Sequence, residues 1–581
     1  MAVAIRSVRR IRTNTWMLLL ASVVWLAVNV RWVAIYRQHG IVDVDEASYL
    51  SLALNDHYAA VRDGFGGWVA AVWWPGISAP LVPALTSLQF FVTGTGPTVA
   101  LAVPLFAGLA TVLLTYGLAN RLGGRALAWP ALLLIATAPG VLLEARAYHF
   151  GVPAMAVAMA ALYCLVRSER LSSTGFSVAF GVFLGLMPLT RTMTIAFAPG
   201  LVLAALLQVT VGPDRRRRLI HCAVALAVAV GVASTWLVSS GPVVFRYLTE
   251  FGYGQQSAEY GTAAGVFNPA AWLARLHTVL AEQYLPHTLV LCVGLISASY
   301  LALRRARSDG TRSFLELAVT SPAMPVMLVV AEGLAAFVSS RTNGNGYTLL
   351  LTPAMVVVAV WGLHRAHPRL RRALPAVAAV VGLIAAVPAL DLRAPTGGVW
   401  TMDLPGVGRV KVTDGRGTAQ IYAGLDPPTE AREPVSAETA RQWSAASDWA
   451  AQQIVDNNAL GGTTAFGVRD RMFNTSTVQL AMLRKKGYGV AMAQIRPVEI
   501  GNTLADHQRW LTRFQDSLSG DASTACLLFT ATGTVDEFPP PVDPAAMARA
   551  AQATGFTARA SHPLPNGRVL TLWWRPRPEC A

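Results

Sequence analysis

Long apolar stretches fill most of the first two thirds of this chain and restrict the folds that it can adopt. About eleven of them are long enough to cross a bilayer as helices, at residues 16–36, 97–119, 126–143, 150–167, 174–190, 192–210, 219–239, 286–303, 315–338, 346–363 and 373–391. Of the 581 residues, 54% are hydrophobic and only 14% are charged, a balance that soluble globular proteins of this size do not normally show. We therefore predict a mainly α-helical, multi-pass membrane protein with about eleven transmembrane helices.

The placement of arginine orients these predicted spans. With a cytoplasmic N-terminus, the inner loops carry roughly twenty basic residues, including the run at 215–218, and the outer loops carry about seven. No cleavage site follows the basic N-terminal segment, so the first span is predicted to be an uncleaved anchor. A shorter apolar piece at 78–94 contains two prolines and is predicted to lie at the membrane interface, because counting it as a span would turn the run at 215–218 outward.

The overall charge and composition fit the same interpretation. The net charge of +15 follows mostly from the arginine-rich inner loops. No interleaving of aromatic and basic residues indicates binding to nucleic acid. Many Ala, Val and Arg residues with few Lys are typical of a GC-rich bacterial genome, so we predict the plasma membrane of a bacterium.

The character of the chain changes after residue 392, which divides it into a membrane domain (1–392) and a tail domain (393–581). With an odd number of spans, the tail domain lies outside the cytoplasm. Helical and β-like segments alternate in it and predict a small α/β domain. The helices are expected at 436–458, 474–486, 503–516 and 543–554, and the strands within TTAFGV, GVAMAQI, ACLLFTA and RVLTLWW.

Two features of the tail domain leave alternatives open. Cys526 and Cys580 either form a disulfide in an oxidising compartment or remain a buried thiol and a free one. In RDRMFNT, Asp470, Arg471 and Asn474 either line a carbohydrate site at the carboxyl end of a strand or form a plain turn and helix cap. We expect the domain to hold or select a polymeric acceptor.

Three carboxylates lie together in VDVDEASYLSLALN, immediately after the first span: Asp43, Asp45 and Glu46. One explanation is structural, because the helix dipole favours acids at a helix N-terminus. The other is functional, because the segment that follows is rich in aromatic residues, Gly and Pro, as in a sugar-binding cleft. Four stretches favour the second explanation: the Asp45–Glu46 pair with Tyr49, PGISAPLVPAL, GVFLGLMPLTR at 181–191 and NGYTLLLTPAMVVVAVWGL at 345–363.

In their order and sidedness, these stretches resemble the polytopic GT-C glycosyltransferases over about residues 10–390. They are similar to the group of the protein mannosyltransferases and the aminoarabinose lipid A transferases. The resemblance implies that a sugar is transferred from a polyprenyl-phosphate carrier, which is a membrane lipid, to an acceptor on the non-cytoplasmic face. The acceptor is a cell-envelope glycan, a lipid or a protein.

The resemblance also implies roles for particular residues. Asp45 matches the acid of the first outer loop, the general base, and Glu46 supports it. Arg191 matches a basic residue that meets the carrier phosphate, although an arginine there could also extend to the membrane surface. The second outer loop lacks the Asp that the family carries, and Glu144 or His149 takes that role. Further candidates for substrate binding are Tyr49, Arg146, Arg341, Tyr347 and the intramembrane Glu332.

Two questions stay open. A divalent cation, Mg²⁺ or Mn²⁺, fits the hard oxygen ligands of the Asp45–Glu46 pair, but the sequence does not decide whether one binds. A transporter or flippase of lipid-linked sugars would also need intramembrane charges. Such proteins often consist of matched halves, and this sequence shows no internal repeat, so we favour the enzyme over the transporter and over a non-catalytic assembly subunit.

Overall fold

The computed structural model describes residues 2–37, 44–210, 214–254, 257, 268–309, 319–341, 348–389, 399–406, 408–414, 437–457, 462–514 and 519–577. Within these ranges the chain is mainly helical, with β-strands confined to its C-terminal part.

Fifteen helices form the N-terminal part of the described chain. They are α1 (Ala2–Tyr36), α2 (Val44–Val72), α3 (Leu81–Thr93), α4 (Pro97–Ala100), α5 (Ala102–Gly123), α6 (Arg125–Ala136), α7 (Pro139–Ala145), α8 (Gly151–Arg167), α9 (Thr174–Thr190), α10 (Ala198–Thr210), α11 (Arg215–Gly252), α12 (Pro269–Asp309), α13 (Met324–Ser339), α14 (Thr352–Ala366) and α15 (Pro368–Ala389). Short 3-10 turns, Thr192–Phe197 and Thr348–Leu350, precede α10 and α14.

Each predicted span overlaps a helix, but the helices differ in length. Five segments are long and apolar enough to cross a membrane alone: Asn14–Ile35, Pro97–Gly123, Thr192–Thr210, Arg215–Gly252 and Glu282–Ser308. The predicted span at 126–143 is broken into α6 and α7, which are bent by 58° and would count together as a sixth. Helices α3, α8, α9 and α13 are apolar but shorter. The chain is therefore a multi-pass membrane protein, while the number of eleven spans stays a prediction.

Small residues let the membrane helices approach closely. Gly181 and Gly185 of α9, spaced as in small-xxx-small motifs, face α11. A Cβ atom at Gly181 would lie 2.3 Å from the carbonyl oxygen of Ala225, and one at Gly185 would lie 2.5 Å from that of Ala229. The backbones of α9 and α11 are thus in direct contact, and this contact sets the position of the chain segment that follows α9.

The tail contains two sheets and five helices. The elements are β1 (Val399–Leu404), β2 (Gly408–Asp414), α16 (Ala437–Asp456), β3 (Thr463–Phe466), α17 (Thr475–Lys486), β4 (Met492–Gln494), α18 (Pro497–Ile500), α19 (Leu504–Thr512), β5 (Ala525–Ala531), α20 (Pro544–Ala553), β6 (Thr557–Pro563) and β7 (Val569–Trp574). Strands β1 and β2 form a hairpin, and the main sheet has the order β4-β3-β5-β7-β6. Strands β4, β3 and β5 run parallel, whereas β7 is antiparallel to both of its neighbours.

All four helices and all four strands that the sequence predicts for the tail are present. Three features were not predicted, of which one is the short helix α18. Strand β6 reads TARASHP and is largely exposed, so it lacks the apolar alternation by which a strand is recognised. The β1–β2 hairpin packs Val410 and Val412 against Leu280 and Leu285 of α12, a contact between segments far apart in the chain.

The tail also contacts the helix that carries the acidic pair. Leu480 and Leu483 of α17 belong to the same buried apolar cluster as Leu50 and Leu54 of α2. Each of these leucines is almost completely buried. Apolar contact between α17 and α2 therefore couples the tail to the start of the first outer segment.

We expect Gly181→Leu to destabilise the protein, because the new side chain cannot fit against the backbone of α11. Overpacking of this kind costs about 1–3 kcal/mol. The matched control is Gly231→Leu, since Gly231 is an exposed residue of α11 with nothing within 4 Å of its Cβ position. Thermal unfolding in detergent should show a lower midpoint for Gly181→Leu only. Equal midpoints for both variants would contradict the close α9–α11 packing.

Candidate active site

The two acids at the start of α2 lie in different environments. Both belong to the first helical turn, and Asp45 is exposed whereas Glu46 is completely buried. One oxygen of Glu46, Oε1, accepts hydrogen bonds from Arg37 Nη2 at 2.5 Å and from the backbone N–H of Tyr148 at 2.6 Å. Glu46 thus fastens the start of α2 to the end of α1 and to the loop between α7 and α8. Asp43 lies outside the described residues.

Helix α7 and the loop that follows it bring a second acid and a histidine to the same place. The Nδ1 atom of His149 lies 3.1 Å from Oε1 of the buried Glu144. Tyr49 of α2 stacks on Phe150 with 3.8 Å between ring centres and meets His149 edge-on at 6.4 Å. These contacts hold Glu144 and His149 beside the helix that carries Asp45.

Arg191 reaches this loop from the junction between α9 and the following 3-10 turn. Its backbone is extended, with φ −154° and ψ 123°, so the chain changes direction there. A Cβ atom at Gly151 would lie 2.5 Å from Glu144 Oε2 and 3.3 Å from Arg191 Nη1. The carboxylate from α7 and the guanidinium group from the junction therefore approach the same point at the start of α8.

Tyr247, near the end of α11, connects the exposed acid with the arginine. Asp45, Arg191 and Arg496 of the tail all lie close enough for their charges to act on its phenol. The charges of Asp45 and Arg191 thus act on the same phenol, while Glu144 lies beside Arg191 at Gly151 and His149 lies beside Glu144. We call Asp45, Glu144, His149, Arg191 and Tyr247 the outer cluster.

The sequence did not indicate Tyr247 or Arg496 as site residues. Tyr247 is one aromatic residue among several in its segment, and its role depends on the length of α11. Arg496 follows strand β4, and its guanidinium carbon lies 6.0 Å from the ring centre of Phe251. Its position after a parallel strand was the available signal, because ligands bind at the carboxyl ends of such strands.

Other candidates have contacts outside the outer cluster. Arg146 is 1% exposed; its Nε donates to Asn29 Oδ1 at 2.8 Å, and its guanidinium carbon lies 4.4 Å from the ring centre of Trp32. Arg146 therefore fastens the α7–α8 loop to α1. The backbone N–H of Arg341 donates to the carbonyl of Gly252 at 2.8 Å, beside the end of α11.

The candidates for the donor cavity are placed only in part. Glu332 of α13 packs against Gly200 in the first turn of α10 and accepts a hydrogen bond from its backbone. Tyr347 lies outside the described residues, as does most of the loop at 250–265.

The two carboxylates of the Asp45–Glu46 pair lie in different surroundings. Oε1 of Glu46 is already bound by Arg37 and Tyr148, and the side chain is buried while that of Asp45 is exposed. Within the described ranges, no three residues among His, Cys, Asp and Glu group in a way that could hold a metal ion.

The polar residues of RDRMFNT mainly build a turn and a helix cap. Asp470 Oδ1 accepts hydrogen bonds from the backbone N–H groups of Met472 and Phe473. Asn474 caps α17 by accepting from Ser476 and Thr477. This confirms the interpretation as a turn and cap for Asp470 and Asn474. In the same domain, Cys526 is disulfide-bonded, and Cys580 lies outside the described residues.

Comparison with solved structures identifies the fold. The apo structure of ArnT from Cupriavidus metallidurans aligns over 97% of this chain and 98% of its own, with a TM-score of 0.54 and 18% identity. The structure of ArnT bound to undecaprenyl phosphate aligns over 96% and 98%, with a TM-score of 0.54 and 16% identity. The arabinofuranosyltransferase AftD from Mycobacteria aligns over 97% of this chain and 40% of its own, with a TM-score of 0.52 and 13% identity.

No protein-family model matches the sequence, and no curated protein is similar to it. At the identities found, the solved structures establish the fold alone. This is the GT-C fold that the sequence resemblance implies.

We expect Glu46→Ala to destabilise the protein strongly, because it leaves the charge of Arg37 and the backbone N–H of Tyr148 without their acceptor. Breaking a buried ion pair costs about 3–5 kcal/mol. Asp63→Ala is the control on the same helix: the ion pair of Asp63 with Arg62 is exposed, and such pairs contribute at most about 1 kcal/mol. Thermal unfolding of both purified variants tests this, and a small effect of Glu46→Ala would contradict the fastening role.

Proposed function

We propose that this protein is a glycosyltransferase that moves a sugar from a polyprenyl-phosphate-linked donor to an acceptor at the outer face of the bacterial plasma membrane. The observation that carries the proposal is the grouping of charged side chains at the start of α8: Glu144 and Arg191 both reach the Cβ position of Gly151, and Asp45 lies on the helix whose Tyr49 stacks on Phe150. An exposed carboxylate and a guanidinium group at one end of the helical part are the two charges that transfer from a phosphate ester needs. The acceptor is a glycan, a lipid or a protein of the cell envelope.

In this reaction, Asp45 takes the proton of an acceptor hydroxyl group. The hydroxyl oxygen then forms a bond to the anomeric carbon, and the bond between that carbon and the phosphate oxygen breaks. The electron pair leaves with the polyprenyl phosphate, whose added negative charge Arg191 stabilises. Asp45 is suited to the proton transfer because it is accessible to an incoming acceptor, whereas Glu46 is buried and bound to Arg37.

The remaining residues of the outer cluster would position the sugar. His149 is held by Glu144, which also lies beside Arg191 across Gly151. Such a pair can orient the guanidinium group and accept hydrogen bonds from sugar hydroxyls. The ring stack of Tyr49 on Phe150 makes a rigid wall next to them. The fold is shared with ArnT, one of whose structures holds undecaprenyl phosphate, which supports a carrier of this kind.

A transporter or flippase of lipid-linked sugars is the alternative. The charged residues of the outer cluster, Asp45, Glu144 and Arg191, lie at the ends of α2, α7 and α9 and not in the middle of a span. Substrate sites of transporters lie near the bilayer midplane. The position of the cluster therefore favours chemistry at a membrane surface over transport through the membrane.

Asp45→Asn should abolish transfer while the protein stays folded, since the amide cannot accept the proton. Loss of a general base lowers rates by about 10²–10⁴-fold. The measurement is transfer from a labelled polyprenyl-phosphate sugar in membranes that contain the acceptor, with Asp63→Asn as the control. Full activity of Asp45→Asn would remove the assignment of the base. Labelled donor that crosses the bilayer without transfer would support the transporter.

Arg191→Ala should lower kcat/KM for the donor by about 10²–10³-fold, because the departing phosphate loses its cationic partner. Arg246→Ala is the matched control. Arg246 precedes Tyr247 on α11, and its side chain is exposed. Steady-state rates at varied donor concentrations separate the two variants. The same loss in both would indicate a general effect of surface charge and contradict the role of Arg191.

A further inference from the structure

The main sheet of the tail has a change of direction at β3. From β3 the chain passes through α17 to β4 on one side, and from β4 it returns through α18 and α19 to β5 on the other side. These three strands are parallel, so their carboxyl ends lie at one edge. In open α/β sheets, ligands bind outside the carboxyl ends of the strands at such a switch point.

This edge carries three arginines. Arg469 and Arg471 follow β3, and Arg496 follows β4. The segments that follow β3 and β4 lie side by side, because the backbone N–H of Ile495 donates to the carbonyl of Phe466 at 3.1 Å. We call Arg469, Arg471 and Arg496 the arginine edge.

The residue between the first two arginines turns away from them. Asp470 is completely buried, and its Oδ2 accepts a hydrogen bond from Arg568 Nη1 at 3.2 Å. The guanidinium carbons of Arg469 and Arg471 both lie over the ring of Phe538, at 5.7 and 5.9 Å from its centre. Two guanidinium groups are therefore held against the same ring, and Asp470 is committed to a different partner.

The charges at this edge repel one another. Arg469 is only 4% exposed. Burial, and secondly the positive charge of Arg496, lower the pKa of Arg469 to about 10, while Glu537 acts in the opposite direction. Glu537 itself is bound by Arg568 through Oε1 and by the backbone N–H of Val542 through Oε2. An anion placed at the edge would offset the repulsion and form charge-assisted hydrogen bonds.

The arginine edge faces the outer cluster. Arg496 lies on the ring of Phe251 at the end of α11, and its charge acts on the phenol of Tyr247. Asp45 acts on the same phenol. A molecule bound at the arginine edge would therefore lie at the end of α11, the helix whose Tyr247 is influenced by the charges of Arg496 and Asp45.

We propose that the arginine edge binds an anionic group, a phosphate or a carboxylate, of the acceptor. This inference rests on the proposed transferase function and assigns the acceptor side of the site to the tail. Arg496 then holds the acceptor with a hydroxyl group near Asp45, while Arg191 meets the phosphate of the carrier. The acceptor is thus an anionic molecule of the cell envelope, and the tail selects it by charge.

The test is binding of inorganic phosphate to the full-length protein in nanodiscs at low salt, followed by calorimetry. We expect Arg496→Ala to weaken binding by about tenfold or more, since charge-assisted hydrogen bonds are lost. Arg496→Lys should retain part of the affinity. Arg559→Ala is the control, because Arg559 is exposed on β6, the strand farthest from β4 in the sheet. Arg496 is only half-buried, and the thermal midpoint of each variant verifies its folding.

Two results would overturn the proposal. One is the same phosphate affinity, or no measurable affinity, for the wild type and Arg496→Ala. The other is competition by undecaprenyl phosphate added to the nanodiscs, which would assign the edge to the carrier and not to the acceptor. Because binding is measured without transfer, it is independent of the proposed reaction.

Discussion

The buried carboxylate of Glu46 is the interaction on which the rest of the outer cluster depends. A charged group next to a membrane is tolerated when partners compensate its lost hydration. Glu46 obtains this compensation from Arg37 and from the backbone of Tyr148. These partners belong to the end of α1 and to the α7–α8 loop, so one carboxylate fixes three segments. Tyr49, one turn further along α2, adds the stack on Phe150. These contacts hold the loop that carries His149, the partner of Glu144, against α2.

Asp45 and Glu46 differ in burial because of helix geometry. Successive residues of an α-helix point about 100° apart, so one acid of an adjacent pair can be buried while the other is exposed. The buried acid takes part in a fixed ion pair and is poorly suited to accept a proton. The exposed acid stays accessible, and its charge and that of Arg191 both act on the phenol of Tyr247. The acidic segment therefore has a structural role through Glu46, while the catalytic role of Asp45 stays a prediction.

The sequence predicted those features that depend on patterns within one segment. Apolar stretches predicted the membrane helices, because lipid requires backbone groups to be satisfied within each helix. The resemblance indicated Asp45 and Arg191 as site residues, and their roles stay predictions. The exposed strand β6 leaves no apolar pattern. Tyr247 and Arg496 were missed because their proximity depends on how α11 ends and how the tail contacts the membrane domain. Arg146 has the right residue type for phosphate binding, but its contacts with Asn29 and Trp32 are visible only in three dimensions.

The contact between α17 and α2 changes how the role of the tail can be studied. The sequence suggests that deleting residues 393–581 would weaken acceptor use and spare the donor. In the structure, Leu480 and Leu483 belong to the same buried apolar cluster as Leu50 and Leu54 of α2. Deletion would expose this surface to water and would disturb the helix that carries Asp45 and Glu46, so effects on donor and acceptor would coincide whichever one the tail binds. Removing a single guanidinium group at Arg496 leaves the apolar contact intact. A point substitution can therefore separate the two roles of the tail, its support of α2 and its arginine edge, where truncation cannot.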